Sequence, residues 1–252
     1  MYLTGKTAII TGGGRGIGRG IALALAARGC NVAVNYARKR SEAEQTAAQL
    51  EALGVKAAVI KANVGKEEEV KRLVDEAAAQ LGGVDIFVGN AASGVLKPVM
   101  EVDAKAWEWS MNINARSILL GAQAAAPYMR RSGWGRILSI TSIGGRRVFP
   151  DYGAVGVSKA AIEAVTRYLA AELAPEGIIA NCISPGVVIT GALDFFPNRD
   201  SMIRNAETRT PAGRLVTPED VGKVAAWLCS DDAAMIVGQV IEVDGGYSLV
   251  VD

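Results

Sequence analysis

The sequence predicts an α/β protein built on a doubly wound parallel sheet of about seven strands, with helices on both faces. Three observations predict it. Short β-branched runs alternate with longer stretches of helical period. Several of the short runs are apolar almost throughout, as strands covered on both faces require. A glycine-rich segment, Thr11 to Gly18, separates the first short run from the first helical stretch. In chain order, residues 7–11 read as the first strand, and the glycine loop opens a helix over 17–28. Strand 31–35, helix 41–53, strand 57–61, helix 67–81 and strand 85–89 follow. A long alanine-rich helical pattern covers 104–131. Strand 136–140, helix 160–173, strand 179–183, helix 218–229 and strand 240–243 complete the alternation. Residues 186–213 show no clear period and are expected to be a lid or binding-loop insert near the end of a strand.

No repeat, low-complexity tract or Pro/Ser linker divides the chain, so residues 1–252 are expected to form one domain. The net charge of +1 supports neither a nucleic-acid partner nor an anionic membrane surface. No apolar run approaches the roughly 20 residues of a spanning helix, and Met1 to Lys6 carry no leader-like apolar region. The chain therefore reads as cytoplasmic. It has no histidine, which excludes Ser-His-Asp and Cys-His catalytic units and histidine metal sites. Cys30, Cys182 and Cys229 are far apart, form no CxxC, and are expected to be reduced core residues. No metal site is expected.

The glycine loop has its spacing at Gly12, Gly16 and Gly18, with Gly14, Arg15 and Ile17 between them. Glycines permit positive φ and let backbone N–H groups approach a pyrophosphate at a helix N-terminus. A glycine-rich turn alone can bind nothing. Placed after a strand and before a helix, it predicts a dinucleotide site. The second strand is expected to end at Asn35, where an NAD site usually has a carboxylate. The next acid is Glu42, whereas Arg15, Arg38, Lys39 and Arg40 lie nearby. With Tyr36 and Arg38 beside the adenosine ribose, this charge pattern favours NADPH over NADH. The alternative is that Arg38 to Arg40 are solvated helix-start residues.

Tyr152 stands seven residues before Lys159. On a helix that interval is close to two turns, so both side chains would share a face. A phenol beside an ammonium suggests a proton or hydrogen-bond donor whose pKa the cation lowers. Phe195, Phe196 and Met202 either line a substrate channel or pack the 186–213 loop onto the body. Arg130, Arg131 and Arg167 read as a solvated helix face before they read as a contact for an acidic partner.

Taken together, these segments resemble the short-chain dehydrogenase/reductase family over nearly the whole chain. The resemblance rests on the glycine loop, Asn63-Val64, Asn90-Ala91-Ala92, Asn114, Ser184-Pro185-Gly186 with Thr190, and Val243 to Gly246. It implies a Rossmann-type fold and a nicotinamide cofactor. Asn63 and Val64 would lie beside the adenine, and Asn90, Ala91 and Ala92 along the cofactor. Pro185, Gly186, Val188, Ile189 and Thr190 would take the carboxamide end. Lys159 would hold the nicotinamide ribose, and Asn114 would keep a helix open for a water path. Most members carry tyrosine four residues before the lysine. Here Ser142 and Lys159 have the expected separation, but Val155 occupies the tyrosine position. A Tyr-x6-Lys interval is similar to that of the family's enoyl-acyl-carrier-protein reductases, and residues 90–100, 111–115 and 210–214 look most like bacterial type III. Residues 148–151 lack the second tyrosine some of these enzymes carry.

The resemblance implies NADPH-dependent reduction of a trans-2-enoyl thioester, on acyl carrier protein or CoA, in fatty-acid elongation. Tyr152, Lys159, Ser142 and Asn114 would form the catalytic group. A homotetramer is implied in the same way. Moving the tyrosine back three helical positions would displace it by roughly 4.5 Å, which suits charge developing on a thioester oxygen three bonds from the carbon that receives hydride. Two alternatives stay open: a carbonyl reductase such as a 3-oxoacyl-acyl-carrier-protein reductase, and a non-catalytic NADPH-binding sensor or assembly subunit.

Overall fold

The computed structural model describes residues 2–249. The elements run β1 (Thr7–Ile10), α1 (Gly16–Ala26), β2 (Asn31–Tyr36), α2 (Arg40–Ala52), β3 (Ala57–Lys61), α3 (Glu67–Leu81), β4 (Ile86–Gly89), α4 (Ala104–Met111) and α5 (Ser117–Ser132). They continue with β5 (Gly135–Ile140), α6 (Gly153–Leu173), β6 (Ile178–Pro185), α7 (Arg199–Arg209), α8 (Pro218–Leu228) and β7 (Val240–Val243). The seven strands form one parallel sheet in the order β3-β2-β1-β4-β5-β6-β7. The chain winds outward from β1 to β3, returns to β4 beside β1, and winds the other way. The reversal leaves a crevice beyond the carboxyl ends of β1 and β4, where ligands bind in open α/β sheets.

Strand alternation divides the core into two layers. Ile10 on β1 packs with Ile21, Leu25, Val34, Val221 and Leu228, under α1 and α8. Its neighbour Ile9 faces the other layer with Leu73, Phe87, Ile118, Met129 and Ile162, under α3, α5 and α6. Both layers are buried, so β1 and β4 at the centre of the sheet are apolar almost throughout. Small residues let α1 and α8 cross closely: a Cβ on Gly20 would lie 2.3 Å from the Pro218 carbonyl oxygen. Thr217 and Asp220 form a capping box at the start of α8, with Pro218 in its first turn.

Four expectations about the elements are corrected. The helix expected over 104–131 is two helices joined through a π-helical segment, Asn112–Arg116. The helix expected from residue 160 starts at Gly153, with Tyr152 at its N-cap (φ −98°, ψ 6°) and outside the helix proper. Strand β2 runs one residue past Asn35 to Tyr36. The 186–213 segment is not irregular throughout: it contains a 3-10 turn, Leu193–Phe195, and all of α7. Helix α7 buries only Ala206, so it carries no apolar stripe from which a period could be read.

Candidate active site

The crevice is built from the carboxyl ends of β1 to β6. Thr11 closes β1 and is the hub of the switch point. Its Oγ1 donates to the Val88 carbonyl (3.2 Å) and accepts the N–H groups of Asn90 (2.9 Å) and Ala91 (3.0 Å). The Asn90 amide nitrogen donates to the carbonyls of Thr11 (2.8 Å) and Gly12 (3.2 Å). Asn35 braces the loop from the other side. Its Oδ1 accepts from Gly12 N–H (3.3 Å), its Nδ2 donates to the Ala62 carbonyl (3.1 Å), and its backbone carbonyl accepts from Gly13 N–H (3.1 Å). Asn35 is thus an internal brace, 2% exposed, and does not occupy the ribose position. The strand ends at Tyr36, which is half-buried, and the residues after it are exposed.

The loop is a cradle that side chains would fill. Gly12 has φ +63° and Gly16 φ +52°. A Cβ on Gly18 would lie 2.4 Å from the Gly12 carbonyl oxygen, and one on Gly14 would lie 2.9 Å from Ala43 N. A Cβ on Gly16 would lie 3.1 Å from Thr190 Cγ2, so the segment after β6 reaches over the loop. Ile17 lies in the first turn of α1, whose N–H groups have no acceptor within the helix. Residues and backbone here fit a dinucleotide pyrophosphate.

At the end of β2 the charges are more balanced than the sequence suggests. Arg15 Nε lies 3.5 Å and Lys39 Nζ 2.9 Å from the Glu42 carboxylate, and Arg40 Nε lies 2.7 Å from that of Glu44. Arg38 is exposed and, among the described residues, has no ion pair or hydrogen bond. On the adenine side, Asn63 Oδ1 accepts from Gly65 N–H (3.0 Å), and Val64 is buried with Val70 and Leu120. Ala92 is exposed after β4. After β6, Gly186 packs on Asp244, Val188 is buried, Ile189 is 52% exposed, and Thr190 Oγ1 accepts from Ala192 N–H at 3.4 Å.

Tyr152 sits across the crevice. Its hydroxyl oxygen lies 3.4 Å from Ser142 Oγ. Its ring is held between Phe196, tilted at 31° with centroids 5.8 Å apart, and the edge of Phe149 at 6.0 Å. Two glycines make the slot: a Cβ on Gly144 would lie 2.5 Å from Tyr152 Cε1, and one on Gly156 3.4 Å from Cδ1. Asp151, with φ +60°, turns the chain into the N-cap. Phe196 therefore meets the phenol, whereas Phe195 is 74% exposed. Val155 is buried, and a Cβ on Gly94 would lie 2.4 Å from its Cγ2.

Lys159 and Tyr152 are not brought into contact. Lys159 is 6% exposed and donates from Nζ to the Ile140 carbonyl at 2.8 Å. Burial pushes its pKa down to about 8. Burial pushes the Tyr152 phenol up, while the Ser142 hydroxyl pulls it the other way. The expected lowering of the phenol by the Lys159 cation is thus corrected. Tyr152 sits at the N-cap of α6, and Lys159 points back to the end of β5.

Asn114 lies in the π segment, fully buried. Its Oδ1 accepts from Ser93 N–H and its Nδ2 donates to Ser158 Oγ, both at 2.8 Å. Sequence reasoning did not find Thr11, Ser93, Ser158 or Phe149. Their bonds and ring contacts join residues distant in sequence and leave no local motif. Arg130 pairs with Glu176, and Arg131 lies over the Tyr128 ring at 4.3 Å, as members of a solvated face. The three cysteines are free and buried. Among the described residues, no helix is long and apolar enough to cross a membrane.

Fold, cradle and crevice define a dinucleotide-binding α/β class. A family model described as enoyl-(acyl carrier protein) reductase matches residues 12–248. The chain is 38% identical over 247 residues to a 1-cyclohexenylcarbonyl-CoA reductase of Streptomyces collinus, covering 97% of this chain and 88% of the other. It is 35% identical over 243 residues to the 3-oxoacyl-[acyl-carrier-protein] reductase FabG of Staphylococcus epidermidis, covering 96% and 98%. A solved structure from Sinorhizobium meliloti, described as a short-chain alcohol dehydrogenase, superposes with a TM-score of 0.93 at 35% identity, covering 99% and 98%. The chain belongs to the short-chain dehydrogenase/reductase family and is an oxidoreductase of that family. Reductases of this family bind nicotinamide cofactors.

Proposed function

We propose that this protein is an NADPH-dependent reductase of trans-2-enoyl thioesters carried on acyl carrier protein or CoA. The reading rests on one observation: an apolar, buried Val155 where most of the family has tyrosine, with the phenol of Tyr152 at the N-cap, 3.4 Å from Ser142. Gly12, Gly14 to Gly18 and Thr190 would hold the cofactor, which when bound supplies hydride. Tyr152 donates a hydrogen bond to the thioester oxygen, where charge develops three bonds from the β-carbon. Burial raises its pKa, so it stays protonated at neutral pH. Lys159 spends one N–H on Ile140, which leaves two for the ribose hydroxyls. Asn114 supports a water path, and the α-carbon proton comes from solvent. Unpaired Arg38 supports NADPH over NADH, with a 2′-phosphate as its partner.

A second reading has its own support. The Ser142 and Tyr152 hydroxyls converge on one point, which suits a ketone oxygen, and one relative is a 3-oxoacyl-[acyl-carrier-protein] reductase. Assays of crotonyl-CoA and acetoacetyl-CoA, each with NADPH and NADH, separate the two. The expected result is crotonyl-CoA reduction with NADPH preferred. In Tyr152→Phe, kcat should fall about 10²- to 10³-fold, the usual cost of one lost oxyanion donor, with NADPH affinity unchanged. Turnover of acetoacetyl-CoA alone selects the ketone reading. NADPH binding without turnover of either thioester selects a sensor.

A further inference from the structure

Glu163 stands one helical turn beyond Lys159 on α6 and is 7% exposed, a buried carboxylate that the chemistry above does not use. Its Oε1 accepts from Thr141 Oγ1 (3.2 Å) and its Oε2 from Arg146 Nε (3.1 Å). Arg146 also donates from Nη1 to Glu242 of β7 at 2.7 Å. Thr141 and Arg146 flank the turn that carries Ser142 and Gly144. That turn closes on itself, with Gly145 N–H to the Ser142 carbonyl (2.9 Å) and Arg146 N–H to that of Ile143 (3.0 Å). It also presses on α6: a Cβ on Gly145 would lie 3.1 Å from Glu163 Oε1 and 3.2 Å from Ala160 N. The ring of Tyr152 rests on the same turn at Gly144, where a Cβ would lie only 2.5 Å away. One short segment therefore bears Ser142, seats Tyr152, and is fastened to the helix that Tyr152 caps.

We propose that Glu163 and Arg146 are positioning residues, an ion pair that locks the 141–147 turn against α6 and so sets the Ser142–Tyr152 contact; this rests on the reading of Tyr152 as the donor. The contact the pair controls is sensitive. At 3.4 Å it stands at the outer limit of hydrogen bonding, and a shift of a few tenths of an ångström breaks it. An ion pair with one buried and one exposed partner adds little net stability, so stability alone gives weak reason for one here. Geometry gives a better one, because a guanidinium fork bonded to carboxylates on α6 and on β7 fixes direction as well as distance.

The test uses the full-length enzyme. Arg146 is 41% exposed in its side chain, so Arg146→Met can be accommodated. It should lower kcat about 10- to 100-fold, the scale of a misplaced catalytic group, with KM and NADPH affinity nearly unchanged. In the Arg146→Met/Glu163→Leu pair, thermal stability should return toward wild type while kcat stays low. Recovery of kcat together with stability would show a merely structural pair and overturn the proposal. On a Tyr152→Phe background, Arg146→Met should cost little more, because it acts through Tyr152; a full additional loss also overturns it. A readout without substrate is the phenolate absorbance that Tyr152→Phe removes. Its titration should move to higher pH in Arg146→Met, as in Ser142→Ala, and an unmoved titration sinks the proposal. If Tyr152→Phe itself keeps full turnover, the donor reading fails first; if Tyr152→Phe is impaired and Arg146→Met is not, only the ion pair fails.

Discussion

Tyr152, at the N-cap of α6, and Lys159, within it, behave as opposites. Tyr152 is raised by burial and Lys159 is lowered by it, to about 8, so at neutral pH the phenol keeps its proton and the ammonium is mostly charged. The sign of the pH dependence follows. An unfolded lysine holds its proton to about pH 10.4, whereas Lys159 in the folded chain releases it near 8. Between those values the unfolded state binds more protons, so stability from this group rises with pH, and its desolvation penalty is fully present below 8. Catalysis runs the other way, because only the ammonium binds the ribose hydroxyls strongly. The kcat/KM for NADPH, which reports the free enzyme, should fall above pH about 8 and lose that limb in Lys159→Met. A limb near or above pH 10 would assign it to the phenol instead. The Tyr-x6-Lys interval was legible in the sequence, but the separation of the two groups was not. The acceptor that turns Lys159 away is the carbonyl of Ile140, a backbone atom that no motif records.

At the scale of elements, legibility followed apolar patterning. The expected bounds of β3, β7 and α3 coincide with the observed ones, because each is a clear run or stripe closed by punctuating residues. Helix α7 was invisible because it buries Ala206 alone. The start of α6 was missed because Gly153 and Gly156, poor helix formers, fill its first turns. Gly156 is there for the Tyr152 slot and Gly153 packs on Val99, so the local rule fails where the site needs it to. The π segment has the same character. Its widened turn leaves Asn114 bonded to Ser93 and Ser158, on the β4–α4 connection and on α6. Asn114→Leu should therefore cost about 1–3 kcal/mol for each stranded buried donor or acceptor, read as a lower denaturation midpoint. A change within a few tenths of a kcal/mol would mean that water replaces those bonds.

The whole molecule explains why the site is where it is. A sheet that reverses direction between β1 and β4 opens a crevice at one edge only, and every residue singled out as a candidate lies on segments at the carboxyl ends of the strands or on the helices behind them. That placement was readable from strand–helix alternation and one glycine loop. Which thioester carbon meets the hydride is a finer matter, because it depends on where a single phenol stands in the crevice. A crystal structure with NADP⁺ and a non-reactive enoyl-thioester analogue addresses it directly. The account predicts the Tyr152 hydroxyl at about 2.6–3.2 Å from the thioester oxygen, with the β-carbon over the nicotinamide. A Tyr152 oxygen turned away from the ligand, with a different acid at the thioester oxygen, would contradict it.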